Sequence, residues 1–215
     1  GEVITNSSSA YIKNISNIKI SANWMASSVN SNEIAALYLA VKKISQICTY
    51  TGITIPVGKD SLSMNTSWSD KNSYKQVESP VSLVLSAFSS IDNVNKYKTP
   101  EIKSNGNLFL IDLGDAKDRL GGSAYHQINN IIDDDVPRID NLDNLVSFFK
   151  LIQELHRNNI IDAYHDKSDG GLFVTLSEMA LAGNKSIVID KSLERYYSDD
   201  LMKKFFFNEE LGVVI

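Results

Sequence analysis

Apolar and polar positions alternate over residues 18–24 (Ile-Lys-Ile-Ser-Ala-Asn-Trp), the period of a half-buried strand. Asn30-Ser31-Asn32-Glu33 follows as a helix-start signal. Ile34, Leu37, Tyr38, Val41, Ile44 and Ile47 then fall at helical spacing, and Gly52 closes that helix. Residues 53–57 form a short β-prone run, with Pro56 placing its end at an edge or a loop. Gly58-Lys59-Asp60-Ser61 comes next, then a second β-prone run through Leu62, Met64 and Thr66. Residues 67–79 are polar and read as an exposed excursion. Residues 81–88 are apolar on both parities, which predicts a strand buried on both faces.

Residues 91–106 are polar, with Pro100 and Asn105-Gly106, and mark the candidate domain boundary. Beyond them the pattern restarts. A buried strand is predicted over 108–113, and Gly121-Gly122-Ser123 opens a short helix. Residues 142–155 read as an amphipathic helix with Leu145, Phe148, Phe149, Ile152 and Leu155 inward. A helix over 172–182 is ended by Gly183. A strand over 186–190, a helix over 199–208 and a strand from 212 complete the pattern. Residues 1–16 read as a helix end and a loop. The fold class is α/β (α+β) in two lobes, residues 1–95 and 96–215.

Composition narrows the function classes. The 215 residues are 43% hydrophobic and 22% charged, as in a globular protein. The net charge is −5 with no Lys/Arg cluster, which disfavours a nucleic-acid partner. No apolar run approaches the length of a membrane span. Cys48 is the single cysteine, so no disulfide can form within the chain. It reads as a small core residue, and a reducing cytoplasm is the simplest compartment. The chain begins Gly-Glu and stops in the strand-like run 211–215, so a piece of a longer polypeptide is expected.

Chemistry concentrates in Tyr164-His165-Asp166-Lys167-Ser168-Asp169-Gly170-Gly171-Leu172. Backbone amides at a helix start can face an anion, and glycines let the backbone come close. A carboxylate two residues before a hydroxyl suits Mg²⁺ on one and a phosphate oxygen on the other. The plainer reading makes Ser168 or Asp169 an N-cap and Gly170-Gly171 a tight turn. Gly58-Lys59-Asp60-Ser61 is similarly open, either a phosphate contact through Lys59 or a hairpin turn with a charged tip. It lacks the Walker A spacing. Glu2 and Asn6, four apart, offer hard oxygen ligands on one helical face, or are two exposed residues at a frayed end. Asp112, Asp115 and Asp118 are ordinary loop residues before they are a metal loop, and Asp133-Asp134-Asp135 reads as a solvated turn. His126 and His156 have no ligand partner at i+4, so no zinc site is predicted.

Six segments occur in a fixed order: 1–6 (GEVITN), 19–25 (KISANWM), 55–64 (IPVGKDSLSM), 79–83 (SPVSL), 163–172 (AYHDKSDGGL) and 207–212 (FNEELG). Together they resemble the large, single-chain form of the phosphoribosylformylglycinamidine synthase family, ligases of de novo purine biosynthesis. The resemblance spans almost the whole chain and favours the nucleotide reading of 164–172. It implies a piece of the second synthetase half: part of a barrel-forming α/β lobe, then a truncated lobe of sheet and helices. It implies ATP or ADP and Mg²⁺ as cofactors, and formylglycinamide ribonucleotide and glutamine as the parent enzyme's substrates. Glu2, Asn6 and Asp166 would be Mg²⁺ ligands. Ser168, Gly170, Gly171 and Lys59 would adjoin the nucleotide or a phosphate. The rest of the parent chain, including a glutaminase domain, would be the partner, and exposed strand edges would favour self-association of the piece. No residue is singled out as catalytic, and the piece alone is expected to be inactive. The alternative within the same family is a half that holds ADP or ATP with Mg²⁺ in a structural role.

Overall fold

The computed structural model describes residues 1–71, 73–189 and 198–215. It contains two compact units, Lys13–Ser90, and Gly1–Ile12 together with Ile91–Ile215. The units are therefore not serial, because residues 1–12 belong with the later part of the chain. The chain opens on α1 (Glu2–Ser7), a helix of six residues. The hydroxyls of Thr5, Ser7 and Ser8 bond back to the carbonyls of Glu2, Val3 and Ile4. Such bonds tie a short helix to itself.

The unit Lys13–Ser90 contains β1 (Lys19–Met25), α2 (Ser31–Thr51), β2 (Thr54–Ser61), β3 (Asn65–Asp70), β4 (Ser73–Glu78) and β5 (Ser82–Phe88). Strand β1 is central, parallel to β2 and antiparallel to β5. A parallel pair needs a crossover, and α2 supplies it. The predicted alternation is realised in β1, where Ile20 and Ala22 are buried between half-buried neighbours. The side chain of Asn30 accepts the Asn32 amide at 3.0 Å, and Gly52, at φ 74°, ends the helix in the left-handed region. Cys48 is half-buried.

Three expectations change in this unit. Gly58-Lys59-Asp60-Ser61 is not a hairpin tip, because β2 runs straight through it with Lys59 opposite Asn23 on β1. Residues 67–79 are exposed as expected but are not a loop, since most of them form the antiparallel pair β3–β4. Their polar composition hid a hairpin whose two strands are largely exposed. Strand β5 is not buried on both faces, for Val84 and Phe88 are 52% and 53% exposed. It lies at the end of the three-stranded order β2-β1-β5.

The other unit adds β6 (Leu110–Asp112), α3 (Ala124–Ile128), α4 (Leu142–Arg157), β7 (His165–Lys167), α5 (Gly171–Gly183), α6 (Asp199–Phe207) and β8 (Gly212–Val214). The sheet order is β6-β8-β7, with both pairs antiparallel. Ala163, Leu172, Met179, Phe205 and Val214 form its core cluster. Leu145, Phe148, Phe149 and Ile152 are buried as the helical period predicts, and Leu155 is half-buried.

Here too the structure revises details. The strand expected over 108–113 is only β6, and Phe109 before it is 62% exposed. Residues 186–189 are not in a strand, and Asp190 lies outside the described residues. Gly183 is the last residue of α5 but does not supply its left-handed cap. The left-handed residue is Asn184, at φ 48°. Glycine stands at 183 because a Cβ there would come within 2.8 Å of the Ile102 backbone.

Helix α4 also holds the segment after α1. Gln153 accepts the Ile12 amide at 2.6 Å and donates to Ala10 O at 3.2 Å. His156 Nε2 donates to Ser8 O at 2.9 Å. Burial lowers the His156 pKa below its ordinary value, against the pull of that bond, and Lys98 and Lys96 push the same way as burial. A folded pKa below the unfolded one gives stability that is complete above about pH 6.5 and is lost as pH falls towards the folded value. We expect unfolding midpoints to fall on acidification below that pH. His156→Gln should remove this component of the pH dependence, and an unchanged profile in the variant would refute the assignment.

Candidate functional site

Strand β7 places alternate side chains on different partners, as a pleated strand must. On one side, the Tyr164 hydroxyl donates to Thr5 O and Asp166 accepts from Asn6 Nδ2 at 3.1 Å. Both contacts are to α1. His165 instead donates through Nε2 to Glu178 Oε2 on α5 at 2.6 Å, with Nδ1 3.6 Å from Asp166 Oδ1. The nearby Asp166 carboxylate raises the His165 pKa, with burial opposing it and Glu178 assisting. Burial alone would raise the pKa of Asp166, but the proximity of His165 and the bond from Asn6 outweigh it and hold the carboxyl below its ordinary range. Asp166 is thus an ionised oxygen donor beside the amide of Asn6. Glu2 stands one turn earlier on α1, exposed like Asn6.

These groups are hard oxygen donors, two of them solvent-facing and one held ionised. That chemistry fits a Mg²⁺-type cation better than a soft or borderline metal. Among the described residues, no group of three or more His, Cys, Asp or Glu is arranged to hold a metal. The candidate set differs from such a group in taking one ligand from an amide.

Ser168 follows β7 directly, and its carbonyl accepts the Gly171 amide at 2.9 Å. Gly170 and Gly171 sit at φ +81° and +66°. The last residues of α6 and Asn208 after it form the wall of this turn. A Cβ on Gly171 would lie 2.5 Å from Asn208 O and 2.8 Å from Phe206 O. The Gly170 amide donates to Glu209 Oε1 at 2.8 Å, so it is satisfied within the chain. The glycine pair is required by packing as well as by any ligand.

Sequence reasoning assigned no role to the polar cluster behind the turn. Lys167 is 2% exposed and donates to Asn208 Oδ1 at 2.7 Å, with Asp112 Oδ1 3.6 Å away. Burial lowers its pKa against the pull of Asp112, Asp118 and Glu210. Asn208 donates to Asp118 at 3.0 Å. Arg119 and Glu210, 3% and 1% exposed, form a two-pronged pair, and Arg119 also reaches Asp140 at 3.1 Å. A lysine between Asp166 and Ser168 has the parity of the core side, and a buried lysine demands acidic partners. That was the available signal.

The remaining candidates separate. Asp112 accepts the Ala116 amide, Asp115 accepts from Asn144, and Asp118 serves Asn208. Asp112 and Asp118 also share Lys167, and among the described residues these carboxylates form no group arranged to hold a metal. Asp133 accepts the Asp135 amide at 3.0 Å, a local turn bond. His126 Nδ1 is 3.9 Å from Asp133. Lys59 is exposed on β2, in the unit that does not contain Asp166.

Two family models match the chain: the FGAR-AT PurM_N-like domain over residues 1–90, and the AIR synthase related protein C-terminal domain over residues 107–215. A phosphoribosylformylglycinamidine synthase of Schizosaccharomyces pombe is 44% identical over 220 residues, covering 100% of this chain and 16% of that protein. The chain thus spans about one-sixth of the length of this relative. Among solved structures, E. coli HypE, a hydrogenase maturation protein, superposes with a TM-score of 0.53 at 16% identity, over 99% of this chain and 63% of that one. T. maritima PurL complexed with AMPPCP gives 0.51 at 10% identity, over 99% and 32%. At such identities these two likenesses concern the fold alone. The sequence relationship goes further, and the chain belongs to the phosphoribosylformylglycinamidine synthase family.

Proposed function

We propose that this chain supplies a Mg²⁺–nucleotide binding element of a cytoplasmic phosphoribosylformylglycinamidine synthase, a ligase of de novo purine biosynthesis. The observation that carries the proposal is the bond between Asn6 and an ionised Asp166 across 160 residues of sequence. The fold neighbour complexed with AMPPCP supports the nucleotide part. The whole enzyme would convert formylglycinamide ribonucleotide, glutamine, ATP and water to formylglycinamidine ribonucleotide, glutamate, ADP and phosphate. Its glutaminase domain and other synthetase half would lie outside these 215 residues.

Glu2, Asn6 and Asp166 would hold the cation. Mg²⁺, when bound, neutralises charge on the phosphate oxygens. The Ser168 hydroxyl would donate to the nucleotide, and Lys59 would present a cation towards a phosphate. These are binding roles. Asp166 is paired with His165 and Asn6 in a way that keeps it charged, which suits holding a cation rather than shuttling a proton.

The test is Asp166→Ala in the full-length synthase. Mg²⁺·ADP at about a hundred times its Kd should stabilise the unmodified protein by about 2.7 kcal/mol, and the variant should lose that gain at this site. Nucleotide released on denaturation, counted per chain, gives the second readout. An Asp166→Ala protein with undiminished bound nucleotide and undiminished stabilisation would defeat the proposal.

A further inference from the structure

We propose that Glu209 is a positioning residue of the nucleotide site, its carboxylate fixing the turn that carries Ser168. The inference rests on the Mg²⁺–nucleotide reading above. Only Ser168 and Asp169 stand between Lys167 and Gly170, and consecutive residues pin both ends of that span. Asn208 Oδ1 accepts Lys167 Nζ at 2.7 Å, and Glu209 Oε1 accepts the Gly170 amide at 2.8 Å. The same oxygen accepts the Ala124 amide at 2.8 Å, at the first residue of α3. One carboxylate oxygen therefore joins the starts of two helices, and amides at helix starts favour a negative partner. Within the turn, Ser168 O accepts the Gly171 amide.

The arrangement has a consequence for ligand contact. The Gly170 amide is committed to Glu209, so the turn meets a nucleotide through the Ser168 side chain. The direction of that side chain depends on where Glu209 holds the backbone. Asn208 is a poorer probe of the idea, because its Nδ2 also closes α6 on Lys204 O and Phe205 O. Glu209 is half-buried, whereas Asn208 and Glu210 are each 1% exposed.

The experiment measures Mg²⁺·ADP affinity and urea stability of the full-length synthase for Asp166→Ala, Ser168→Ala, Glu209→Ala, Glu209→Gln and Ser168→Ala/Glu209→Ala. Glu209→Ala should weaken ADP binding about 10-fold to 100-fold, the usual effect of removing a supporting partner. Glu209→Gln keeps an oxygen that can accept both amides and should restore most of the affinity. The double variant should bind no more weakly than Ser168→Ala alone, because Glu209 acts through Ser168. If Glu209→Ala does not fold, Glu209→Asp, which keeps the charge but withdraws the oxygen by one methylene, takes its place. Wild-type affinity in Glu209→Ala or its replacement, or additive losses in the double variant, overturns the proposal. Asp166→Ala separates the two failures. If it leaves binding intact, the nucleotide reading itself falls, whereas loss of binding there with none in the Glu209 variant removes only the positioning role.

Discussion

Glu210→Ala is expected to destabilise the protein by about 3–5 kcal/mol, the cost of removing one partner of a buried ion pair. The substitution leaves the Arg119 guanidinium, 3% exposed, without its two-pronged acceptor. Asp140 and the Arg138 carbonyl still reach it, so its charge is not wholly abandoned. Replacing both partners by apolar residues should cost much less, because the pair's mutual attraction is set against the desolvation of two charges. Arg119→Met/Glu210→Leu is the matching variant, and urea unfolding of single and double variants is the measurement. A Glu210→Ala loss below about 1 kcal/mol, the range of an exposed pair, would contradict the buried-pair account.

Gly171→Ala should cost roughly 2–5 kcal/mol, from a left-handed backbone carrying a Cβ and from crowding in a packed interior. The Cβ would meet backbone atoms, Asn208 O and Phe206 O, which no side-chain rotation can relieve. Gly170→Ala differs in kind. Its Cβ would lie 2.3 Å from Val174 Cγ2, a side-chain atom. Val174→Ala should therefore rescue part of the Gly170→Ala loss. No single side-chain truncation should rescue Gly171→Ala. Equal rescue at both positions in unfolding measurements would show that the wall behind the turn is softer than its backbone contacts imply.

What was legible in the sequence follows the physical reach of each signal. Helix α4 was readable because its apolar period is strong and its inner face is buried as a stripe. Strand β1 was readable because its two faces meet different surroundings. The β3–β4 hairpin was not, since both strands are polar and exposed and carry no burial period. Asn6 and Asp166 were candidate oxygen ligands by residue type, the resemblance favoured them over the plainer readings, and the structure puts them in hydrogen-bonding contact. Local spacing alone could not have paired residues so far apart in sequence. The cluster of Lys167, Arg119, Asn208 and Glu210 was missed for a related reason. Buried charges leave no periodic trace, and each partner comes from a different segment. The segment 207–212 served only as a family signature, yet its three polar residues hold three different parts of the unit.

The distance along the chain between α1 and β7 also sets an order of events during synthesis. The ribosome adds roughly 5–20 residues per second, so the 160 residues between Asn6 and Asp166 take on the order of 10–30 s to emerge. Through that interval a helix of six residues has no β7 to dock on, and helices so short do not persist alone in water. The intervening residues 13–90 are complete long before the strand arrives. The joining of Asn6 to Asp166 therefore follows the synthesis of residues 13–90, and the pair records the moment at which α1 acquires its partner strand.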